Sequence, residues 1–388
     1  MRRTELRRTV AGLFLALLAF AALSPAAASA ELPEVETAPP PPPPPEEPWF
    51  HLGALRIRDL TPFGILRLDF LPAHAVTAKP GTWAFEVNLS YQNTYVLSQN
   101  VQDYLQAKGG GHRVYLDDTD VAHFIAQPEE AYFLDGELGL FDLTAHYRFN
   151  HHWGAYLTVP YLMFQNGFLD ATIEGFHDLA GLDQEGRDLV ERDRFFVLSK
   201  TNTGTVLQEA PPKDGFADPV VGVRYTLFPK PEKWNMVFEA AAKIAFRDAQ
   251  VFVSSGESDY GLQVSYQRFF SKQALYLTAS GVMFNGVDLQ GFSTDSDLIP
   301  TAVGAWEFRM SPKVNGIVQL YASPSVVKDS ELEELSANKY LASLGVQVHT
   351  NDGWLYRFAL TENLVNFLNT ADIAATLSVA KAFRLPQP

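Results

Sequence analysis

From Trp83 onward, apolar and polar residues alternate in stretches of roughly ten, the length that crosses a bilayer as a tilted β-strand. In residues 83–91, WAFEVNLSY, every odd position is apolar and every even position is small or polar. Successive side chains of a strand point to opposite faces, so such a strand has one apolar and one polar face. In an exported chain, the repeated pattern predicts a transmembrane β-barrel.

Residues 1–30 carry the features of an export signal. A charged, arginine-containing head precedes an apolar stretch from Val10 to Leu23, and Ala28-Ser29-Ala30 forms a small-x-small cleavage site. This pattern predicts a signal peptide that is cleaved after Ala30. An uncleaved N-terminal anchor is the alternative, but it would need a longer apolar run.

Composition narrows the class of protein further. Of the 388 residues 47% are hydrophobic and 13% aromatic, yet the mean hydropathy is only −0.06, which alternating strands explain. The chain has no cysteine, so disulfides, a cysteine nucleophile, cysteine metal sites and a lipidated N-terminal cysteine are excluded. A net charge of −15 argues against a nucleic-acid partner. No cofactor is expected.

Two further segments precede the first strand. Residues 31–48, ELPEVETAPPPPPPPEEP, are predicted to be a Pro-rich disordered spacer, with a Pro-rich ligand for another protein as the alternative. Residues 49–80 contain Trp49, Phe50 and Phe63 among other apolar side chains and are too apolar for a free linker. We expect this segment to dock at the periplasmic mouth or inside the lumen, with the barrel occupying residues 81–388.

The pattern predicts about twelve strands, an even number as bacterial barrels have. Their predicted bounds are 82–91, 137–149, 153–164, 218–227, 236–246, 259–269, 274–284, 298–310, 313–322, 339–349, 354–361 and 372–383. Short and long gaps alternate between the predicted strands. The short gaps predict periplasmic turns and the long gaps predict extracellular loops. Aromatic residues at strand ends predict interfacial girdles: Tyr91, Phe149, Trp153, Tyr161, Phe164, Trp234, Phe269, Phe284, Trp354 and Phe383.

If the apolar face of each strand meets lipid, the polar face lines the lumen. The charged and histidine side chains predicted there are Glu86, Asp142, His146, Arg148, Arg224, Glu239, Lys243, Arg247, Asp259, Glu307, Arg309 and Arg357. Unpaired buried charges are costly, so these residues are expected to form a network across the lumen or to line water. They either hold a small barrel together or provide a polar pathway.

The long connection 165–217 contains a second candidate site. Leu169, Ile173, Phe176 and Ala180 recur at helical intervals, which predicts a short amphipathic helix. The acidic residues and the histidine of this stretch could bind a metal or exchange protons, or could serve only in capping and solvation. These candidate residues are Asp170, Glu174, His177 and Asp178.

Several motifs of the chain resemble the DUF3187 family. They are Thr61-Pro62-Phe63, residues 67–73 (RLDFLPA), residues 80–83 (PGTW), Asp135-Gly136-Glu137, residues 158–161 (TVPY) and, most specifically, residues 167–170 (GFLD) leading to residues 173–178 (IEGFHD). The resemblance implies an outer-membrane barrel of Gram-negative bacteria. It supplies no catalytic residues, because the family is one of unknown function.

Three functions are compatible with these features. The first is a pore or transport-related barrel for small solutes. The second is a structural or surface-binding barrel whose acidic loops meet a partner or divalent cations. The third, a lipid-active enzyme, is disfavoured because His146 points inward and no outward Ser/His pair is evident. Expected partners are outer-membrane lipids and the barrel-assembly machinery during insertion.

Overall fold

The computed structural model describes residues 51–73, 80–181, 183–228, 233–289, 292–363, 369 and 373–384. The predicted signal peptide (1–30), the Pro-rich spacer (31–48) and residues 49–50 lie outside the described residues. Within the described ranges, no helix is long and apolar enough to cross a bilayer.

Strands account for most of the described chain. They are β1 (Thr82–Leu97), β2 (Ala131–Arg148), β3 (Trp153–Gln165), β4 (Phe196–Thr201), β5 (Gly204–Gln208), β6 (Gly215–Phe216), β7 (Val220–Thr226), β8 (Trp234–Lys243), β9 (Asp259–Phe269), β10 (Gln273–Phe284), β11 (Val287–Leu289), β12 (Phe292–Thr294), β13 (Asp297–Ser311), β14 (Val314–Ser323), β15 (Lys339–His349), β16 (Trp354–Asn363) and β17 (Ile373–Arg384). The helices are α1 (Gln99–Gly109), α2 (Asp118–Ala126), α3 (Asp170–Ala180) and α4 (Glu333–Ser336), with short 3-10 turns at Gly64–Leu66 and Arg187–Leu189.

Twelve of these strands close into an antiparallel barrel. Each pairs with its sequence neighbours among β1, β2, β3, β7 to β10 and β13 to β17, and β1 closes the ring by pairing with β17. The prediction of a twelve-stranded barrel is therefore confirmed, as is a short helix in the connection after β3. The alternating pattern identified these strands because each one has an apolar environment on one face and a polar environment on the other.

The outer surface of the barrel is apolar. Phe85 is 46% exposed, Leu143 43% and Leu277 48%, and each lies on the outward face of its strand. Their inward neighbours Glu86 and Asp142 are almost fully buried. A belt of exposed apolar side chains on every side is unfavourable in water and matches the hydrocarbon of a bilayer.

The aromatic residues at strand ends divide into two groups. At the end with the short connections, Phe149, Trp153 and Trp234 are exposed, as interfacial residues are. At the end with the long connections, the prediction is wrong for Phe164 and Phe284, which are buried. Their rings are covered because the connections fold over this end of the barrel.

The wall of β1 and β2 rises above the barrel. Residues 94–97 of β1 pair with β2 but not with β17, and residues 131–135 of β2 pair with β4, which continues into β5. Helices α1 and α2 pack on the outer face of this extension through Val101, Leu105 and Phe124. The alternating pattern does not extend into this region, because both faces of the strands are buried here, so the sequence predicts a connection in its place.

A large apolar cluster, here called the mouth cluster, closes the end of the barrel that has the long connections. It contains Leu138 and Leu162 from the wall, Phe252 and Phe292 from the long connections, and Phe63 from residues 51–73. The Phe63 ring stacks on Phe292 with centroids 4.9 Å apart and meets Phe252 edge-on at 5.9 Å. The long connections therefore form a dry cap over this end.

Residues 175–183 belong to a different compact unit from residues 49–174 and 184–388. Its described part contains the C-terminal half of α3, where the rings of Phe176 and His177 lie 6.2 Å apart.

The apolar belt predicts how the barrel responds to an outward charge. Leu143→Arg should lower the free energy of unfolding in lipid vesicles by about 2–4 kcal/mol, because it places a cation in the hydrocarbon. Unfolding by urea, followed as loss of the heat-modifiable band on a gel, measures this change. Ile125→Arg, at an exposed apolar residue of α2, is the matched control and should leave the free energy unchanged. Equal losses in the two variants would contradict the position of the belt.

Candidate functional site

Residues 51–73, here called the N-terminal hairpin, run through the interior of the barrel. The backbone N–H of Leu52 donates to Glu307 at 3.0 Å, close to the end with the short connections. The carbonyl of Leu66 accepts from Lys243 at the opposite end. The chain then returns, and Arg56 of the first arm donates to the carbonyl of Pro72 in the second at 2.7 Å.

Barrel side chains satisfy the backbone of the hairpin. Gln319 on β14 bonds to both polar groups of Leu55, accepting from its N–H at 2.8 Å and donating to its carbonyl at 3.2 Å. Gln347 on β15 donates to the carbonyl of Gly53 at 2.9 Å, and Asn88 on β1 donates to that of Arg56 at 3.1 Å. Irregular backbone cannot be buried without such partners, so these amides position the hairpin.

Two glycines on the wall make room for the hairpin. A Cβ on Gly261 would lie 2.6 Å from the ring of Phe70, and a Cβ on Gly345 would lie 3.0 Å from the side chain of Leu55. A larger residue at Gly261 would displace the Phe70 ring, and one at Gly345 would meet the Phe358 carbonyl oxygen at 2.9 Å as well as Leu55. The wall is therefore shaped to the hairpin on two sides.

The Glu86 carboxylate on β1 is the centre of the charged network. It lies 3.0 Å from the Arg56 guanidinium and 3.1 Å from that of Arg357, and it accepts from the Ser378 hydroxyl at 3.0 Å. The imidazole of His146 lies 3.6 Å away. All of these side chains are buried. One carboxylate thus joins the hairpin to β2, β16 and β17.

Further ion pairs surround this centre. Arg58 of the hairpin lies 3.0 Å from Asp142, and Asp59 lies 2.7 Å from Lys339. Barrel strands pair with each other through Arg224 and Glu239 at 2.7 Å and through Lys243 and Asp259 at 2.9 Å. Each buried carboxylate in this set faces a cation, as burial in a low dielectric requires.

Most of the predicted inward residues meet in this network, but three lie apart from it. Arg148 bonds to Thr226 and to the carbonyls of the following turn. The Arg309 guanidinium donates to the carbonyl of Ser311 at 3.3 Å. Arg247 follows the end of β8, which stops three residues earlier than the predicted Phe246, and lies over the Phe246 ring.

Several charged residues of this network were not among the predicted site residues, most of them on the hairpin. These are Arg56, Arg58, Asp59, Arg67 and Asp69, together with Lys339 at the start of β15. Their signal in the sequence was the presence of paired opposite charges within an otherwise apolar segment. Such charges must be neutralised wherever that segment is buried.

The second candidate site lies in the connection after β3. Asp170 pairs with Arg187 at 2.9 Å, and Glu174 lies 2.7 Å from Arg113. His177 and Asp178 belong to the other compact unit, the one that includes residues 175–183. Among the described residues, no group of three or more His, Cys, Asp or Glu is arranged to hold a metal ion. Arginines therefore neutralise Asp170 and Glu174, the two candidate carboxylates that belong to the same unit as the barrel.

Glu137 binds the backbone of residues 167–170 (GFLD) at the start of this connection. Its carboxylate accepts from the backbone N–H groups of Phe168 at 3.0 Å and Leu169 at 2.8 Å. It also accepts from the hydroxyl of Tyr91 on the outer face of β1. By parity Glu137 points outward from β2, yet it is fully buried, because the connection folds over it.

Arginines also control the protonation of Glu174. Burial by itself would raise the pKa of this carboxyl, but hydrogen bonds and positive charge from Arg192 and Arg113 outweigh burial and lower the pKa. Arg192 donates through Nε at 3.0 Å. The carboxylate thus remains ionised and holds the two arginines together.

The cavity described beside the hairpin is small. A cavity of about 20 Å³ lies between Arg58, Leu66 and the wall residues Leu162 and Val220, which is room for about one water. A larger cleft of about 290 Å³ opens among the long connections, next to Lys213 and Asp288. In this conformation, the described cavities do not provide a solute path through the barrel.

The family described as "Protein of unknown function (DUF3187)" matches residues 46–383. No curated protein matches the chain significantly. Among solved structures, the COG4313 outer membrane channel from Pseudomonas putida F1 is 10% identical, with a TM-score of 0.49 over 81% of this chain and 100% of that one. The NanC porin is 9% identical, with a TM-score of 0.40 over 78% and 100% of the chains. The toluene transporter TodX of P. putida is 10% identical, with a TM-score of 0.38 over 79% and 91%.

A double-mutant cycle tests the ion pair between Asp59 and Lys339. Lys339→Met leaves the Asp59 charge buried without its cation and should cost about 3–5 kcal/mol of unfolding free energy. Asp59→Leu combined with Lys339→Met removes both charges and should recover most of that loss. Urea unfolding in vesicles, followed by tryptophan fluorescence, measures each step. Additive losses in the double variant would contradict a direct pair.

Acid should loosen the connection around Glu174. The folded pKa lies below the ordinary value of 4.5, so the stabilisation by this carboxylate is complete above that pH. It is lost as the pH falls through the lowered pKa. Pepsin cleavage of residues 165–195 in vesicle-inserted protein should increase over that range. Relative to an unfolded peptide substrate cleaved at the same pH, the increase should be smaller in Glu174→Gln than in the wild type, and an unchanged increase there would exclude Glu174 as the cause.

Proposed function

The chain belongs to the DUF3187 family, whose function is unknown, and we propose that it is a small-solute channel of the Gram-negative outer membrane that the N-terminal hairpin closes. The proposal includes export by the signal peptide of residues 1–30 and insertion by the barrel-assembly machinery. The apolar belt and the polar interior of the barrel support it.

The chemistry of the interior is the observation that carries this proposal. Polar side chains line the wall and bond to the hairpin, as Gln319, Gln347 and Asn88 do. Water can replace each of these partners when the hairpin leaves, so the empty lumen would be wetted at modest cost. A barrel filled only for stability would gain more from apolar contacts, because buried ion pairs contribute little net stability.

The course of the hairpin allows it to be withdrawn as a unit. It turns near Gly64–Leu66 beneath the mouth cluster, and its two arms lead back toward the end with the short connections. The Pro-rich spacer, residues 31–48, precedes the hairpin in the sequence. Withdrawal toward this end would empty the lumen of the hairpin. It would also separate Phe63 from the mouth cluster, so that the lumen and the mouth would open together.

A cysteine pair tests whether movement of the hairpin opens the channel. Leu55→Cys with Gln319→Cys removes two hydrogen bonds, each contributing about 1 kcal/mol, so the reduced protein should be open roughly thirty times more often than the wild type. A short bifunctional methanethiosulfonate that joins the two thiols should abolish conductance. Single-channel recording in planar bilayers measures both states, and the chain has no other cysteine to react.

Gln273→Ala is the matched control, because this glutamine bonds to Trp306 on the outer face of the barrel. Its conductance should equal that of the wild type. Folded protein that conducts in none of these states would refute the channel and favour a structural or surface-binding barrel. Conductance that persists after cross-linking would refute closure by the hairpin.

A further inference from the structure

The geometry points to a lateral portal in the barrel wall between β3 and the chain that enters β7, through which lipid-soluble solutes pass between the lumen and the bilayer. This inference rests on the proposed channel function and assigns it a substrate class and a route. The site, here called the seam, consists of Val159 and Pro160 on one side and residues 217–219 on the other.

The backbone ladder is interrupted at the seam. Thr158 of β3 pairs with Val220 of β7, and pairing resumes where Tyr161 meets Phe216 of β6. Two residues of β3 therefore face three residues of the opposite chain, which is the geometry of a bulge. Bulges leave residues unpaired and bend the wall.

A proline on each side weakens the seam further. Neither Pro160 nor Pro219 has a backbone N–H to donate across it. Ala217 donates to the Pro160 carbonyl at 3.0 Å, whereas the Pro219 carbonyl accepts at 2.9 Å from Ile244, on the side of β8. Fewer backbone hydrogen bonds thus need to break here than along a regular pair of strands.

The seam lies within the apolar belt. Val159 and Tyr161 pair with Leu143 and Phe141 of β2, which are both exposed on the outer face. The ring of Phe216 is also exposed and meets Tyr161 edge-on at 5.1 Å. An opening at this height would therefore lead into hydrocarbon and not into water.

The small interior cavity lies directly behind the seam. Its lining includes Pro160 and Ala217 of the seam itself, and Leu162 and Val220 on either side of it. Leu66 of the hairpin closes the cavity from the inside, together with Val253. Withdrawal of the hairpin would remove Leu66 and expose the seam to the lumen.

The substrate class follows from where each route leads. A side exit into hydrocarbon is favourable for solutes that prefer lipid to water, and it excludes ions and sugars. Arg58 and Lys243 also line the cavity, as does Asp218 of the seam itself, which is buried and accepts a hydrogen bond from the Ser254 hydroxyl at 2.7 Å. A solute would therefore leave a polar lumen as it enters the seam. The seam thus suits small lipid-soluble molecules.

Disulfide clamps across the seam test the portal in the full chain. Thr158→Cys with Val220→Cys clamps one edge, and Tyr161→Cys with Phe216→Cys clamps the other, because directly paired residues lie within disulfide reach. The control is Ser343→Cys with Thr361→Cys, a directly paired couple between β15 and β16. Each variant is compared with itself after reduction.

The readout is entry of the apolar dye 1-N-phenylnaphthylamine into vesicles whose outer leaflet is lipopolysaccharide, measured beside ion conductance in planar bilayers. Oxidation of either seam pair should reduce dye entry to the rate of protein-free vesicles and leave conductance unchanged. The control pair should change neither quantity.

The outcomes separate this inference from the proposed channel. Unchanged dye entry in both oxidised seam variants, with conductance intact, would overturn the portal and leave the channel standing. Dye entry in the wild type no faster than in protein-free vesicles would also overturn it. Absence of conductance from every variant, with clamp-sensitive dye entry, would support the portal and refute the ion-conducting channel.

Discussion

Neutralisation of the buried Glu86 carboxylate is the interaction on which the interior depends. The free-energy cost of removing a carboxylate from water is offset only when cations and hydrogen-bond donors surround it. Arg56 of the N-terminal hairpin and Arg357 of β16 supply the charge, and Ser378 donates a hydrogen bond. The hairpin is therefore an electrostatic part of the barrel, and its removal would leave a cluster of charges that only water could satisfy.

Two closures of different chemistry occupy the same barrel. Charged and amide side chains hold the hairpin along the lumen, whereas the mouth cluster excludes water through apolar contact. Phe63 connects them, because it lies at the turn of the hairpin and stacks within the cluster. Movement of one segment would thus affect both closures, while the outer wall and its apolar belt stay in place.

The sequence predicted those parts of the fold in which the two faces of each strand meet different environments. Alternation located the twelve barrel strands, because every one of them has lipid on one side and polar groups on the other. It failed for the extension of β1 and β2, where α1 and α2 bury the second face, and for Phe164 and Phe284, which the long connections cover. Parity likewise placed Glu86 and Asp142 inward but could not identify their partners.

The sequence by itself determined the strands, their inward and outward faces and the family, since these depend on local periodicity and on short motifs. Only the tertiary structure decided which charges meet. Arg357 and Glu86 are separated by 271 positions in the chain, and Lys339 and Asp59 by 280. Closure of the ring between β1 and β17 brings Arg357 on β16 close to Glu86 on β1, and the course of the hairpin through the lumen brings Asp59 to Lys339. No local pattern encodes that proximity.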